Sequence, residues 1–253
     1  MEVSAGERQI VTVLAEDPDL ACGLDQATLK RALRRSRARS IAIESGEWLP
    51  SEDFSPGPGV LGLLVLDGIF VRRTGLGNRR SVELLGPGDL LRPFGERRDG
   101  FAMIPSHTSW RVVAPARLAV LDERFHDAIA GYPEVISELM GRLLGRIEQQ
   151  AERLAIVQQP RLSARLHFVL WQLAERYGRV EPDQVVLPLP LTHDLLAELV
   201  AAQRPSVSSA LAELEGAGLV SRRREGGFVL PGRPLGPQLV WLTPGDRVKS
   251  AAG

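Results

Sequence analysis

A long apolar repeat between Pro133 and Pro160 constrains the fold most strongly. Apolar side chains recur there at alternating spacings of four and three residues, the pattern of a helix that pairs with a partner helix. We therefore predict one dimerisation helix over residues 133–159. The predicted seam consists of Ile136, Met140, Leu143, Ile147, Gln150, Leu154 and Val157. A second apolar row (Val135, Leu139 and Leu144) lies beside it, and two rows can serve two surfaces. The alternative is a long core helix without a partner.

The residues before this helix follow another pattern. Leucines at nearly helical spacing among charges predict a short amphipathic helix over residues 19–35. From residue 41 to 121, short apolar runs alternate with turn signals such as Asp67-Gly68, residues 86–89 and Ala114-Pro115. Many short strands at this spacing predict a small sandwich or barrel. We assign residues 1–132 to this domain.

Charge and cysteine content limit the classes of function. Lys and Arg together number 31, as do Asp and Glu, so the net charge is zero and any nucleic-acid binding must come from a local patch. The single cysteine, Cys22, cannot form an internal disulfide or a multi-cysteine metal site. Residues 1–8 carry acid and precede no apolar segment, and the apolar runs are too short to cross a bilayer. We expect a cytoplasmic protein without a membrane partner.

Residues 160–231 contain the pattern with the clearest functional meaning. A helix is predicted over residues 161–177, and Thr192 is a good N-cap for a second helix. After a break at residues 201–203, a third helix begins with Pro205 in its first turn. The apolar spacing of this helix turns Arg204 and several serines outward. Small donors and an arginine are the side chains that reach base edges and phosphates.

The segment after this helix predicts a β-hairpin wing. Residues 219–221 and 228–230 are strand-like, with Arg222, Arg223 and Arg224 between them, followed by a turn at residues 225–227. A cationic wing beside a recognition helix favours contacts with DNA phosphates. The predicted DNA-binding residues are Thr192, Gln203, Arg204, Ser206, Ser208, Ser209, Arg222, Arg223 and Arg224.

These segments together resemble the Crp-Fnr family of bacterial transcription regulators over nearly the whole chain. The resemblance rests on residues 64–68, on residues 81–89 with their Gly-Asp turn, and on the helix-turn-helix frame with Ala197 and Val207. It implies an α+β fold with an N-terminal cyclic-nucleotide-binding-type β-roll (1–132), a long dimerisation helix (133–159), a C-terminal winged helix-turn-helix (160–231) and a tail (232–253). It also implies a homodimer that binds double-stranded DNA at a pseudo-palindromic operator and contacts RNA polymerase.

The chain departs from the family pattern in its DNA-reading helix. Arg204 matches the first base-reading arginine of the family, but Pro205 and Ser209 stand where other members carry Glu and Arg. Ala201 occupies a turn position where glycine is common. We therefore expect the family fold with a different operator sequence.

A second departure concerns the effector. Family members that bind cyclic nucleotides carry an Arg-Ser pair for the phosphate, and that position falls near Ser106-His107 here. Without an arginine at that position, cyclic-nucleotide binding is disfavoured, and we expect no cofactor and no metal. The candidate effector pocket comprises Arg92, Arg97, Arg98, Ser106 and His107. We expect the β-roll interior to be filled by Phe94, Phe101 and Trp110 rather than open.

The sequence offers little support for an enzyme. Residues 57–62 match G-x-G-x-x-G, but a polar segment precedes them and an apolar strand follows, which is not the strand-loop-helix context of a dinucleotide site. We predict no catalytic residue. Two alternatives to a modulated regulator remain: an effector-independent regulator with a vestigial β-roll, and a winged helix used only for protein contacts. The polar, arginine-rich face argues against the latter.

Overall fold

In the computed structural model, the predicted N-terminal strands form one antiparallel sheet. The structure describes residues 9–50, 59–77, 79–93, 106–224 and 226–232. The chain divides into two units, residues 1–155 and 156–253. Each unit contains helices and a sheet, which confirms the predicted α+β class.

The described part of the first unit is built on a sheet of seven strands. The order in the sheet is β1-β2-β7-β4-β5, with β3 paired to β7 and β6 paired to β4. The strands are β1 (Gln9–Thr12), β2 (Arg37–Ile43), β3 (Gly46–Trp48), β4 (Gly62–Leu76), β5 (Arg79–Leu85), β6 (Leu90–Leu91) and β7 (Ser106–Leu121).

Two predicted turns lie inside the long strands β4 and β7. The register of this pair shifts between Val65 and Phe70, so Asp67-Gly68 forms an irregular bulge instead of a turn. Gly68 has a φ of +92°, and a Cβ there would lie 2.4 Å from the Cβ of Ala116. Bulges bend a strand while the pairing continues. The turn predictions at Asp67-Gly68 and Ala114-Pro115 were therefore wrong.

The helices of the first unit pack against this sheet. They are α1 (Val13–Glu16), α2 (Gln26–Arg35), α3 (Glu123–Ile129) and α4 (Pro133–Val157), and a 3₁₀ turn spans Pro18–Ala21. The prediction of one helix over 19–35 was wrong, because Asp25 caps a new helix by accepting from the backbone N–H groups of Ala27 and Thr28 at 2.9 and 3.1 Å. Among the described helices, none is long and apolar enough to cross a membrane.

Two arginines join helix α4 to the rest of the unit. Arg142 forms an ion pair with Asp17, with 2.8 Å between Nη2 and Oδ1. Arg146 forms a two-bond ion pair with Glu83 of β5, at 2.6 and 2.9 Å. Each arginine also donates to a backbone carbonyl within residues 88–90, at 3.2 and 3.1 Å. The middle of the long helix is thus bound to the segment that joins β5 to β6.

Aromatic side chains occupy the buried core that the strands of the first unit enclose. Trp48 packs edge-on against Phe70 and Trp110, with ring centroids 5.3 and 5.8 Å apart, and all three are buried. Trp110 was predicted to be part of this filling, whereas Phe94 and Phe101 lie outside the described residues. The sequence reasoning missed Trp48 and Phe70, which reach the interior through pairing distant in sequence.

Within its described residues, the second unit combines three helices with a four-stranded sheet of order β10-β11-β9-β8. Its elements are α5 (Leu162–Tyr177), β8 (Arg179–Glu181), β9 (Gln184–Leu187), α6 (His193–Leu199), α7 (Arg204–Gly216), β10 (Ser221–Arg222) and β11 (Phe228–Pro231). Within α5, Trp171 Nε1–H donates to Nε2 of His167 at 2.9 Å. Burial lowers the pKa of His167 below its usual value, which suits a neutral acceptor.

Candidate nucleic-acid interface

Helix α6 supports helix α7, the predicted DNA-reading helix. Its N-cap, Thr192, is exposed and accepts a hydrogen bond from the Leu195 N–H at 3.2 Å. Leu195, Leu196 and Leu199 are buried, and they fix α6 in the core of the unit. The side chain of Thr192 is used for capping, so its predicted DNA contact has to be made with this bond in place.

The turn between α6 and α7 holds a residue in the left-handed region. Ala201 has a φ of +53°, the one positive φ of a non-glycine residue in the described ranges. An L-residue with a Cβ adopts this conformation at a cost of about 1 kcal/mol. The turn geometry typical of glycine is thus kept in this chain despite the alanine.

Helix α7 buries one face and exposes the other. Val207, Ala210, Leu211 and Leu214 are buried, at the spacing that the sequence predicts. The predicted DNA-reading residues on this helix are all exposed, namely Arg204, Ser206, Ser208 and Ser209, as is the N-cap Gln203. A helix anchored on one side presents these polar groups together on a surface of the second unit.

Two contacts on the exposed side of α7 involve residues that sequence reasoning did not select. His193, the first residue of α6, places Nδ1 2.8 Å from the Ser208 hydroxyl oxygen. Asp194 lies 3.7 Å from the Arg204 guanidinium, and both side chains are about two-thirds exposed. Such a pair is worth little in water and leaves Arg204 available to a phosphate or a base. The helix-turn-helix pattern in the sequence could have indicated both contacts, because this motif brings the start of α6 beside α7.

The wing follows the recognition helix as a short hairpin. β10 pairs with β11, and the N–H of Arg223 donates to Gly227 across the turn at 3.2 Å. Arg222 lies in β10 and forms an ion pair with Glu215 of α7 at 2.7 Å. Arg224 is exposed at the turn. Arg222 therefore holds the wing to the helix, and Arg223 and Arg224 lie nearer the wing tip.

Helix α4 exposes part of its predicted seam. Val135 and Leu139 are buried, and Ile136 and Leu143 pack partly buried against the same core. Gln150 is half-buried and hydrogen-bonds to the Glu83 carboxylate, and Val157 is also half-buried. Met140, Ile147 and Leu154 of the seam are exposed, with exposed fractions of 52%, 65% and 64%. Together with Leu144 of the second row, which is 57% exposed, they form an exposed apolar strip.

The described members of the candidate effector pocket do not converge. Arg92 lies beside Gly62 at the start of β4, where a Cβ on Gly62 would come 3.2 Å from its Cγ. His107 lies against Gly75 at the other end of the same strand, next to Ser106, and all three predicted residues are exposed. Arg97 and Arg98 lie outside the described residues. The geometry therefore does not bring Arg92 to the Ser106-His107 pair.

An amphipathic recognition helix, a supporting helix and a basic wing define the winged helix-turn-helix class of DNA-binding proteins. The model of the Crp-like helix-turn-helix domain matches residues 164–233. The CRP-like cAMP-activated global transcriptional regulator of Mycobacterium tuberculosis is 30% identical over 160 residues, which span 63% of this chain and 69% of that protein. This chain belongs to the Crp-Fnr family of transcription regulators.

Solved structures show the same fold. A cyclic nucleotide-binding domain containing protein from Listeria monocytogenes superimposes with a TM-score of 0.60 at 16% identity, over 76% of this chain and 87% of that one. A CRP/FNR family transcriptional regulator from Thermus thermophilus gives a TM-score of 0.51 at 22% identity, over 77% and 93%. The predicted order of β-roll, long helix and winged helix-turn-helix is thereby confirmed, and the family is one of regulators, not of enzymes.

Proposed function

We propose that this protein is a homodimeric transcription regulator that reads a pseudo-palindromic operator in double-stranded DNA. The observation that carries the proposal is the exposed row of Arg204, Ser206, Ser208 and Ser209 on a helix whose other face is buried. Such a helix can enter the major groove while the arginines of the wing approach the phosphates. The protein would act where the DNA is, in the cytoplasm, and its further partner as a regulator would be RNA polymerase.

The dimer is proposed from the apolar strip on α4. Leu144 and Ile147 lie within one helical turn of each other, and the strip continues to Leu154 two turns later. Exposed leucines and isoleucines at this spacing are stabilised when a second copy of the helix covers them. Two protomers paired in this way would present two recognition helices to half-sites about 34 Å apart.

The dimer proposal is tested with a charge in the strip. Ile147→Glu should convert the dimer into a monomer by light scattering and reduce operator affinity, because each protomer alone contacts half of the site. Gln149→Glu adds the same charge at an exposed position outside the strip and should leave the mass unchanged. A dimer that persists in the Ile147 variant would place the interface elsewhere.

We further propose that DNA binding is modulated through the β-roll by an effector other than a cyclic nucleotide. Trp48, Phe70 and Trp110 fill the described interior, and no arginine stands at the Ser106-His107 position to bind a cyclic phosphate. The cAMP activation in the name of the Mycobacterium relative belongs to that protein. The alternative is a regulator without an effector, in which the packed interior is purely structural.

One experiment separates these possibilities. The protein is mixed with a random DNA library, and the bound sequences are read with and without a panel of nucleotides and small metabolites. We expect an inverted repeat with half-sites one helical turn apart, and a change in affinity with a compound that is not a cyclic nucleotide. Enrichment unchanged by every compound would favour the effector-independent regulator. No enriched sequence would refute the DNA-reading function and favour a protein-contact role for the winged helix.

A further inference from the structure

The contact between His193 and Ser208 places a titratable group directly behind the DNA-reading face. Ser208 is exposed on α7, and its hydroxyl oxygen lies 2.8 Å from Nδ1 of His193 and 3.4 Å from the backbone carbonyl of Arg204. The neighbouring Ser209 is equally exposed, and its hydroxyl bonds to the Pro205 carbonyl at 3.4 Å. Each serine hydroxyl thus lies 3.4 Å from the carbonyl four residues earlier, and Ser208 alone also has an imidazole partner.

A serine hydroxyl has one hydrogen and two lone pairs, so its partner decides what remains to be offered to a base. A neutral imidazole that carries its hydrogen on Nε2 can accept the hydrogen of Ser208 at Nδ1, which leaves only lone pairs facing outward. A protonated imidazole can only donate at Nδ1. The hydrogen of Ser208 then points away from the imidazole, where the Arg204 carbonyl at 3.4 Å or a base can accept it.

We propose that His193 is a positioning residue for sequence recognition, which makes Ser208 an acceptor when the imidazole is neutral and a donor when it is protonated. The inference rests on the proposed function, because it assumes that α7 reads bases. In the major groove, an acceptor pairs with the amino groups of adenine and cytosine, whereas a donor pairs with guanine or with the O4 atom of thymine. The preferred base at one operator position therefore depends on the protonation of His193.

Two charged side chains on the same two helices neighbour the His193–Ser208 pair. Asp194 follows His193 on α6, and Arg204 from α7 lies 3.7 Å from that carboxylate. Both charged side chains are about two-thirds exposed, so water screens this pair. Histidine is the side chain that ordinarily changes its charge between pH 5 and 8, the range in which DNA binding is measured.

The test uses the full-length protein and the inverted repeat selected from the library. Single-base variants of each half-site are titrated at pH 6 and pH 8 with the wild type, His193→Ala, His193→Asn, Ser208→Ala and the His193→Ala/Ser208→Ala double variant. Ser209→Ala is the control for the serine, and His126→Asn, which changes a half-buried histidine of the first unit, is the control for the imidazole. Circular dichroism establishes that each variant is folded.

We expect the wild type to change its relative preference at one base position by about fivefold between the two pH values, towards guanine or thymine at pH 6. His193→Asn should keep the preference seen at pH 8 under both conditions, because asparagine does not titrate. His193→Ala and Ser208→Ala should remove the pH dependence at the same position, and the double variant should add nothing further. Ser209→Ala should keep the pH dependence at that base position, whatever its effect on overall affinity, and His126→Asn should behave as the wild type does.

Three results would overturn the proposal. They are a wild-type preference that does not change with pH, a loss of affinity in His193→Ala that is uniform across all base variants, and strictly additive effects of the two single substitutions. Failure of the proposed function looks different, because the wild type would then select no inverted repeat at all.

Discussion

Replacing Glu83 by glutamine should destabilise the first unit strongly, because this carboxylate serves two arginines. It accepts two hydrogen bonds from Arg146 at 2.6 and 2.9 Å, and Arg72 lies 2.7 Å away. The exposed fractions of the side chains are 10% for Glu83, 16% for Arg146 and 35% for Arg72. Glutamine keeps the shape, but it carries no charge and directs an amide N–H at a guanidinium.

The magnitude follows from the burial of each partner. Removing one partner from a buried ion pair costs about 3–5 kcal/mol, and Arg146 is nearly as shielded as a buried group. Arg72 reaches water, so the loss of its pair adds at most about 1 kcal/mol. Allowing for partial rehydration of Arg146, we expect a loss of about 2–4 kcal/mol, which for a unit of this size lowers the melting temperature by roughly 5–15 °C.

The assay is thermal unfolding of the full chain by calorimetry at several pH values. The matched control is Glu16→Gln, because the Glu16–Arg117 pair has a similar distance of 2.9 Å but exposed fractions of 32% and 41%. We expect that exposed pair to contribute less than about 1 kcal/mol. Equal effects of the two substitutions would refute the reasoning from burial.

The pH dependence provides a second check. Burial alone raises the pKa of Glu83, but the hydrogen bond and charge of Arg146, the charge of Arg72 and a hydrogen bond from Gln150 outweigh it and lower the pKa below 4.5. A carboxylate with a lowered pKa stabilises the folded state above its unfolded pKa, and this stabilisation is lost as the pH falls through the folded pKa. The difference in free energy of unfolding between wild type and Glu83→Gln should therefore be largest at pH 7 and shrink below about pH 4.5. A difference that grows at acidic pH would contradict the role of the Glu83 carboxylate in these ion pairs.

Three further predictions concern the DNA-binding unit. Arg204→Ala should cost about 1–3 kcal/mol in operator affinity and relax the preference at one base position, whereas an equal loss on unrelated sequences in a competition assay would exclude base reading. Replacing Arg223 and Arg224 by glutamine should make the slope of log affinity against log salt concentration shallower by about 0.9 for each phosphate that the wing no longer neutralises. An unchanged slope would show that these two arginines do not contact the DNA phosphates. Ala201→Gly should leave the melting temperature unchanged or raise it, because relief of the left-handed strain offsets the flexibility of glycine. Ala212→Gly, at an exposed position of α7, should lower the free energy of unfolding by about 1 kcal/mol. Equal losses in the two variants would contradict the strain at Ala201.

A net charge of zero is compatible with a DNA-binding protein because of how the charges are distributed. Arg204 lies at the start of α7, and Arg223 and Arg224 lie in the wing. A fourth arginine, Arg222, is paired with the carboxylate of Glu215. Local cations suffice for phosphate contacts. A chain without a large positive charge leaves non-specific DNA more easily than a polycation does, since non-specific affinity comes almost entirely from charge.

The sequence alone determined the elements whose signals are local. The apolar repeat predicts α4, the caps and spacing predict α6 and α7, and the strand-turn-strand pattern predicts the wing, because each of these depends on residues within about two turns or one hairpin of each other. The family resemblance then implied the domain type and the role of each of these segments.

Only the tertiary structure decided which distant residues meet. Trp48 reaches Trp110 through the register of β3 and β7, Glu83 meets Arg146 across the packing of α4 on the sheet, and His193 meets Ser208 across the helix-turn-helix. Tertiary packing also divided the seam of α4, since a helix turns 100° per residue and neighbouring apolar rows can face either the core or solvent. No periodicity along the chain encodes such pairings, because they are set by strand register and helix docking over many residues.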